Sequence, residues 1–209
     1  MVVALVAGIL LVLGTTVDRR PPQPSADQAF STPSAGLAAP PAHPAVPPLP
    51  RSVPVRLRIP AIGVDASLAR LGLDGAGALK PPPEGDTGLA GWYGGGTAPG
   101  SRGTAVTTGH VDTRDGRRGV FYRLGAVTKG ETVEVGRADG RTAVFTVDAV
   151  EVYDKDGFPS EKVYGGSGRP ELRVITCGGR AGNGGYRGNV VVYATLTAVR
   201  EPGGRAVER

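Results

Sequence analysis

From residue 55 onward the chain runs in short apolar stretches of strand length, broken by glycine and proline. Residues 172–176 (LRVIT) and 190–193 (VVVY) are rich in β-branched and aromatic side chains, and both read as strands. Residues 55–58 (VRLR) alternate and stop at Pro60; residues 64–73 form a second strand, turned by Asp74-Gly75. Residues 103–109 end at a glycine and make a further strand. Residues 132–135 and 142–153 flank Asp139-Gly140, and Asp-Gly between alternating runs is the strongest short-range hairpin signal. Trp92 and Tyr93, inside residues 88–96, read as core or loop packing. Residues 120–127 place apolar side chains at helical spacing, enough for a turn or two, and residues 158–164 are read as a short helical turn. About eight short strands with two or three short helices, and no long amphipathic helix, predict a mainly β fold, a closed eight-stranded barrel.

Three zones precede or contain this pattern. Residues 2–17 are almost wholly apolar, residues 19–54 are rich in Pro and Ala, and residues 55–199 carry the strand pattern, leaving a flexible tail at 200–209. The first zone is short of the ~20 residues that span a bilayer comfortably, but lies within the range for a spanning helix. It lacks the basic start and small-x-small cleavage site of a signal peptide, so residues 1–18 are read as a membrane anchor. Arg19 and Arg20 would keep the domain inside by the positive-inside rule. A translation start upstream of Met1, adding a basic tail, would reconcile short anchor and charge with the outside domain that is expected. The second zone is read as a semi-rigid spacer, with His43 a solvated residue of it.

The formal net charge of +5 favours anionic surroundings such as lipid headgroups or wall polymers. Zinc-ligand spacing, a basic helix and a basic stripe interleaved with aromatics are all missing, so nucleic acid is not an expected partner. The single cysteine rules out an internal disulfide. In an exported protein a lone thiol calls for intermolecular pairing, burial as an inert residue, or a role as nucleophile.

Cys177 ends one strand, Arg187 begins the next ten residues later, and His110 follows the glycine that stops a third. Taken singly, each has a plainer reading: a small buried hydrophobe, a structural histidine, a solvated charge. Together they stand where strands meet loops, the places at which β scaffolds build active sites. A thiolate attacks carbonyls, a histidine moves protons to and from amines, and an arginine presents a charged fork to an oxyanion. Asp112, two residues from His110, is either its orienting carboxylate or a turn residue.

TTGHVDT around His110, VITCGG around Cys177 and YRGNVVVYA around Arg187 resemble the sortase family, most closely the actinobacterial type often called class F. VRLRIPAIGVDA, GWY and VFYRL extend the likeness over the whole domain. The resemblance implies an eight-stranded barrel cysteine transpeptidase. It would cut an LPxTG-type sorting signal between Thr and Gly, form a thioacyl-enzyme, and transfer the protein to a cell-wall amine, such as that of a peptidoglycan precursor, or to water. Carried over, Cys177 is the nucleophile, His110 the general acid and base, and Arg187 the oxyanion or substrate-positioning group. Thr176, Thr108 and Gly178 are expected to contact substrate. Neither metal nor cofactor is implied, and the enzyme is expected to be a monomer, single-pass in the cell membrane, with its catalytic domain outside. Val174 stands where many sortases have leucine, and Arg180 in the small, glycine-rich loop is a rival to Arg187. Two alternatives remain at this point. One is an L,D-transpeptidase-like wall enzyme, whose signature has Ser and Gly before the cysteine where this chain has Ile175-Thr176. The other is a tethered wall-binding barrel with an inert Cys177.

Overall fold

Strands form where the sequence alternates or carries β-branched runs: β1 (Pro54–Ile59), β2 (Val64–Leu71), β3 (Ala90–Tyr93), β4 (Gly103–Thr108), β5 (Thr132–Arg137), β6 (Thr142–Asp154), β7 (Pro170–Gly178) and β8 (Gly188–Arg200). The computed structural model describes residues 20–31, 43, 46–166, 168–178 and 186–202, with 177 and 178 given by backbone alone. The anchor segment 1–18, residues 179–185 with Arg180, and the tail beyond 202 lie outside the described residues. The strands close into a barrel in the order β1-β2-β3-β4-β7-β8-β6-β5, as the pattern predicts. β2–β3 and β4–β7 are parallel pairs, and the others are antiparallel.

The barrel interior is filled by Leu57, Ile59, Phe121, Leu124, Phe145, Leu172, Val174, Val192 and Leu196. A second apolar layer lies outside β7 and β8, where Val106, Ile175, Val191 and Tyr193 are covered by Val163, Leu79 and Phe158. Burial on both faces explains why these two strands read as unbroken apolar runs rather than as alternation. Helix α1 (Ser160–Tyr164) is the short helical turn expected at 158–164, and a 3-10 turn, Leu124–Ala126, stands in the 120–127 stretch. β2 ends two residues before the expected boundary. Residues 88–96, read as packing around Trp92, contain strand β3, paired with both β2 and β4.

In its described parts the Pro/Ala-rich zone, read as a semi-rigid spacer, lies against the barrel. Extended proline-rich backbone leaves its carbonyls unpaired, and cations of the barrel take them up. The buried Arg137 guanidinium donates to the carbonyls of Pro50 and Pro99 and pairs with Asp139 at 2.9 Å. Lys129 Nζ donates to the Asp27 carbonyl at 2.8 Å, and Phe30 meets Tyr193 edge-on at 5.1 Å. His43, expected to be solvated, has only a quarter of its side chain exposed and sits 3.4 Å from Asp148. Burial holds the Asp148 carboxyl above its usual range, against the opposing pull of its hydrogen bond from Thr195.

Arg137 gives a stability prediction. Removing it strands two carbonyls and leaves Asp139 without its cation, so Arg137→Ala is expected to cost about 3 kcal/mol. Urea unfolding of the variant beside the wild type measures this; a loss below about 0.5 kcal/mol, the range of an ordinary surface substitution, would contradict it.

Candidate active site

The site follows from the register of three adjacent strands. In the parallel β4–β7 pair, Thr108 lies opposite Ile175. The ladder runs one residue further, because Gly109 N–H donates to the Ile175 carbonyl at 3.3 Å. The Thr176 hydroxyl, buried, donates to the Gly109 carbonyl at 2.7 Å. His110 and Cys177 therefore stand the same two residues beyond the pair Thr108–Ile175, side by side where the β4–β7 pairing ends. In the antiparallel β7–β8 pair, Cys177 lies opposite Asn189 and Gly178 opposite Gly188. Arg187 immediately precedes β8 at that same edge. The three residues singled out in the sequence thus enter one edge of the barrel.

His110 is half-buried, and its Nε2 is 2.7 Å from the Pro82 carbonyl oxygen. A carbonyl only accepts, so Nε2 carries the hydrogen, and the lone pair of the neutral ring is on Nδ1. After His110 the chain doubles back. Gly119 N–H donates to the Val111 carbonyl at 2.9 Å and Phe121 N–H to the His110 carbonyl at 3.0 Å. A Cβ at Gly119 would come within 2.3 Å of the His110 carbonyl oxygen, so only glycine lets the returning chain pass. The Asp112 carboxylate accepts a 2.6 Å hydrogen bond from the Tyr186 hydroxyl. Arg187 is exposed, and its carbonyl accepts from Lys155 N–H at 2.8 Å.

A cavity of about 900 Å³ extends along the outer face of β4 and β7 to this edge. Its floor is Thr104, Val106, Thr108 and Ile175, with Asn189, the partner of Cys177, at one end. Phe158, Ser160 and Tyr164 form one wall. Arg173 braces that wall, because its Nε donates to the Val163 carbonyl in α1 at 3.0 Å while Nη2 pairs with Glu171 at 2.7 Å. The other wall is a small hairpin over residues 72–80. Leu73 bridges to Leu79, and Asp74 Oδ1 accepts from the backbone of Ala76 and Ala78, both at 2.9 Å. No charged side chain is among the described residues lining the cavity. It can receive an extended, uncharged peptide and lead a carbonyl of it to the barrel edge.

Of the residues expected to contact substrate, Thr108 lines the cavity, Thr176 is buried with its hydroxyl on Gly109, and Gly178 is placed by backbone only, opposite Gly188. Sequence reasoning missed the 72–80 wall and the Pro82 carbonyl beside His110. Asp74-Gly75 signalled a turn there, but a backbone carbonyl leaves no mark in a sequence.

Residues 57–197 match the family model for the sortase domain. No curated protein matches by sequence. Among solved structures, sortase A from Listeria monocytogenes is similar with a TM-score of 0.51 at 15% identity, over 76% of this chain and 93% of that one. A lid mutant of sortase A from Corynebacterium diphtheriae has a TM-score of 0.52 at 21% identity, over 71% and 72%. Sortase C-1 from Actinomyces oris has 0.51 at 22%, over 68% and 72%. At these identities the structures establish the shared barrel.

Proposed function

This chain belongs to the sortase family and is an enzyme of the sortase transpeptidase type, and from that premise we propose that it cleaves an LPxTG-type sorting signal between Thr and Gly through a thioacyl-enzyme on Cys177. The observation that carries the reading is the shared register of His110 and Cys177, with Arg187 entering beside them at the end of an uncharged groove. The groove suits the apolar Leu and Pro of such a signal. The family match sets aside the L,D-transpeptidase and the inert wall-binding barrel.

The Cys177 thiolate attacks the threonine carbonyl carbon, and the π electrons move to oxygen. The Arg187 guanidinium, permanently charged and fork-shaped, stabilises that oxyanion or holds the carbonyl before attack. His110 in its imidazolium form gives the Nδ1 proton to the glycine nitrogen as the C–N bond breaks, leaving a thioester and a free amine. The now neutral Nδ1 takes a proton from the incoming amine, which attacks the thioester and expels the thiolate. Water in place of the amine gives hydrolysis. The acceptor is a cell-wall amine such as that of a peptidoglycan precursor. The enzyme works as a monomer outside the cell, held by a single anchor at residues 1–18, and is of the actinobacterial class F type.

The test is a panel of fluorogenic peptides with and without an added glycine-based amine, products identified by mass. LPxTG-type peptides are expected to be cut between Thr and Gly, with the amine appearing in the product. Replacing the signal's Leu by Asp is expected to lower kcat/KM roughly 100-fold, because an unpaired charge would enter an uncharged groove. Equal turnover of the Asp peptide would contradict the assignment of groove and signal.

A further inference from the structure

We propose that the hydrogen bond between Tyr186 and Asp112 is a clasp that sets the position of Arg187 relative to His110, making Tyr186 and Asp112 positioning residues for the transpeptidase reaction. The inference rests on the sortase reading and adds to it two residues with no assigned role.

Asp112 sits on a braced turn two residues beyond His110. It bridges to Arg118, Thr113 N–H donates to the Arg117 carbonyl at 2.9 Å, and Gly119 N–H donates to Val111 at 2.9 Å. Its carboxylate is therefore carried on a segment fixed to the histidine. Tyr186 is the residue before Arg187, and its hydroxyl donates to Asp112 Oδ2 at 2.6 Å across 74 positions of sequence. That length is typical of a charge-assisted O–H···O⁻ bond. On the other side, the Arg187 carbonyl is held by Lys155 N–H at 2.8 Å, and β8 begins at the next residue. The backbone from which the guanidinium projects is thus tied on one flank to the His110 turn and on the other to the end of β6. Among the described residues, the Arg187 side chain has no hydrogen-bond or ion-pair partner of its own. A long, mobile side chain reaches an oxyanion reproducibly only if its backbone is fixed, and small displacements at a reacting centre are costly in rate.

The chemistry predicts a pattern across variants. Tyr186→Phe removes one hydroxyl and is expected to lower kcat roughly tenfold, the range for losing one hydrogen bond to a charged group. KM should change little, because Tyr186 does not line the groove. Asp112→Ala should match Tyr186→Phe, and the double variant should be no worse than either single one. Asp112→Asn keeps an acceptor oxygen and should recover most of the loss. In an Arg187→Ala background, Tyr186→Phe should have no further effect, since the residue it serves is gone. A structural role alone would give losses that persist in that background.

Two readouts test this on the full chain. Amide hydrogen exchange at residues 186–190 is expected to quicken in Tyr186→Phe and Asp112→Ala and not in Asp112→Asn; unchanged exchange in the first two overturns the clasp with or without turnover. Steady-state cleavage of a peptide that the wild type cuts gives the second. A kcat within twofold of wild type in Tyr186→Phe, or an undiminished loss in the Arg187→Ala background, overturns the positioning role. Absence of wild-type cleavage across the peptide panel counts against the sortase substrate reading, and the exchange experiment still decides the clasp.

Discussion

Cys177→Ala is expected to abolish detectable turnover, with kcat/KM falling by roughly 10⁴-fold or more, the scale that follows removal of a covalent nucleophile. Alanine leaves the groove, His110 and Arg187 in place, so the variant should still bind the sorting-signal peptide with near wild-type affinity. Binding without cleavage separates loss of chemistry from loss of fold. Cys177→Ser is the stricter form, since a hydroxyl fills nearly the same space but is far less readily ionised than a thiol. It should also be severely impaired. Peptide cleavage and equilibrium binding on the three proteins check this; retained cleavage in Cys177→Ala would place the nucleophile elsewhere.

The second large effect is expected at His110. His110→Gln keeps a side-chain N–H that can donate to the Pro82 carbonyl, where His110 Nε2 sits at 2.7 Å. It cannot exchange a proton, so the leaving amine must depart unassisted. The loss in kcat/KM is expected to be about 10³-fold, within the usual span of general acid and base catalysis. A substrate with an ester in place of the Thr–Gly amide needs less protonation of its leaving group, and the deficit on it should be clearly smaller. Parallel kinetics on amide and ester substrates measure the difference. An equal deficit on both would point to a positioning role for His110 instead of proton transfer.

How far these residues could be read from the sequence depends on where their partners lie. β7 and β8 were legible because burial on both faces leaves continuous β-branched runs, as Val174-Ile175 and Val190-Val191-Val192 show. The β5–β6 hairpin was legible because Gly140 takes the positive φ of 82° that its turn demands. β3 was not, since four residues ending in Trp92-Tyr93 become a strand only through pairing with β2 and β4. The docking of the proline-rich segments was hidden for the same reason: Pro50 offers a carbonyl, and only the fold brings Arg137 to it. In the site, His110, Cys177 and Arg187 stood out as chemistry-bearing residues at strand ends. Asp112 could be read two ways because its partner, Tyr186, is 74 residues away.

Under the proposed function, Cys177 carries the acyl group of a cut sorting signal. Intact-protein mass spectrometry of the full chain, after brief incubation with an LPxTG-type peptide and rapid acid quenching, tests it most directly. The expected result is a mass gain equal to the peptide up to its threonine, mapped to Cys177, absent from Cys177→Ala and discharged by an added amine. Cleavage of the peptide with no such adduct under any quench time, or an adduct that persists in Cys177→Ala, would contradict it.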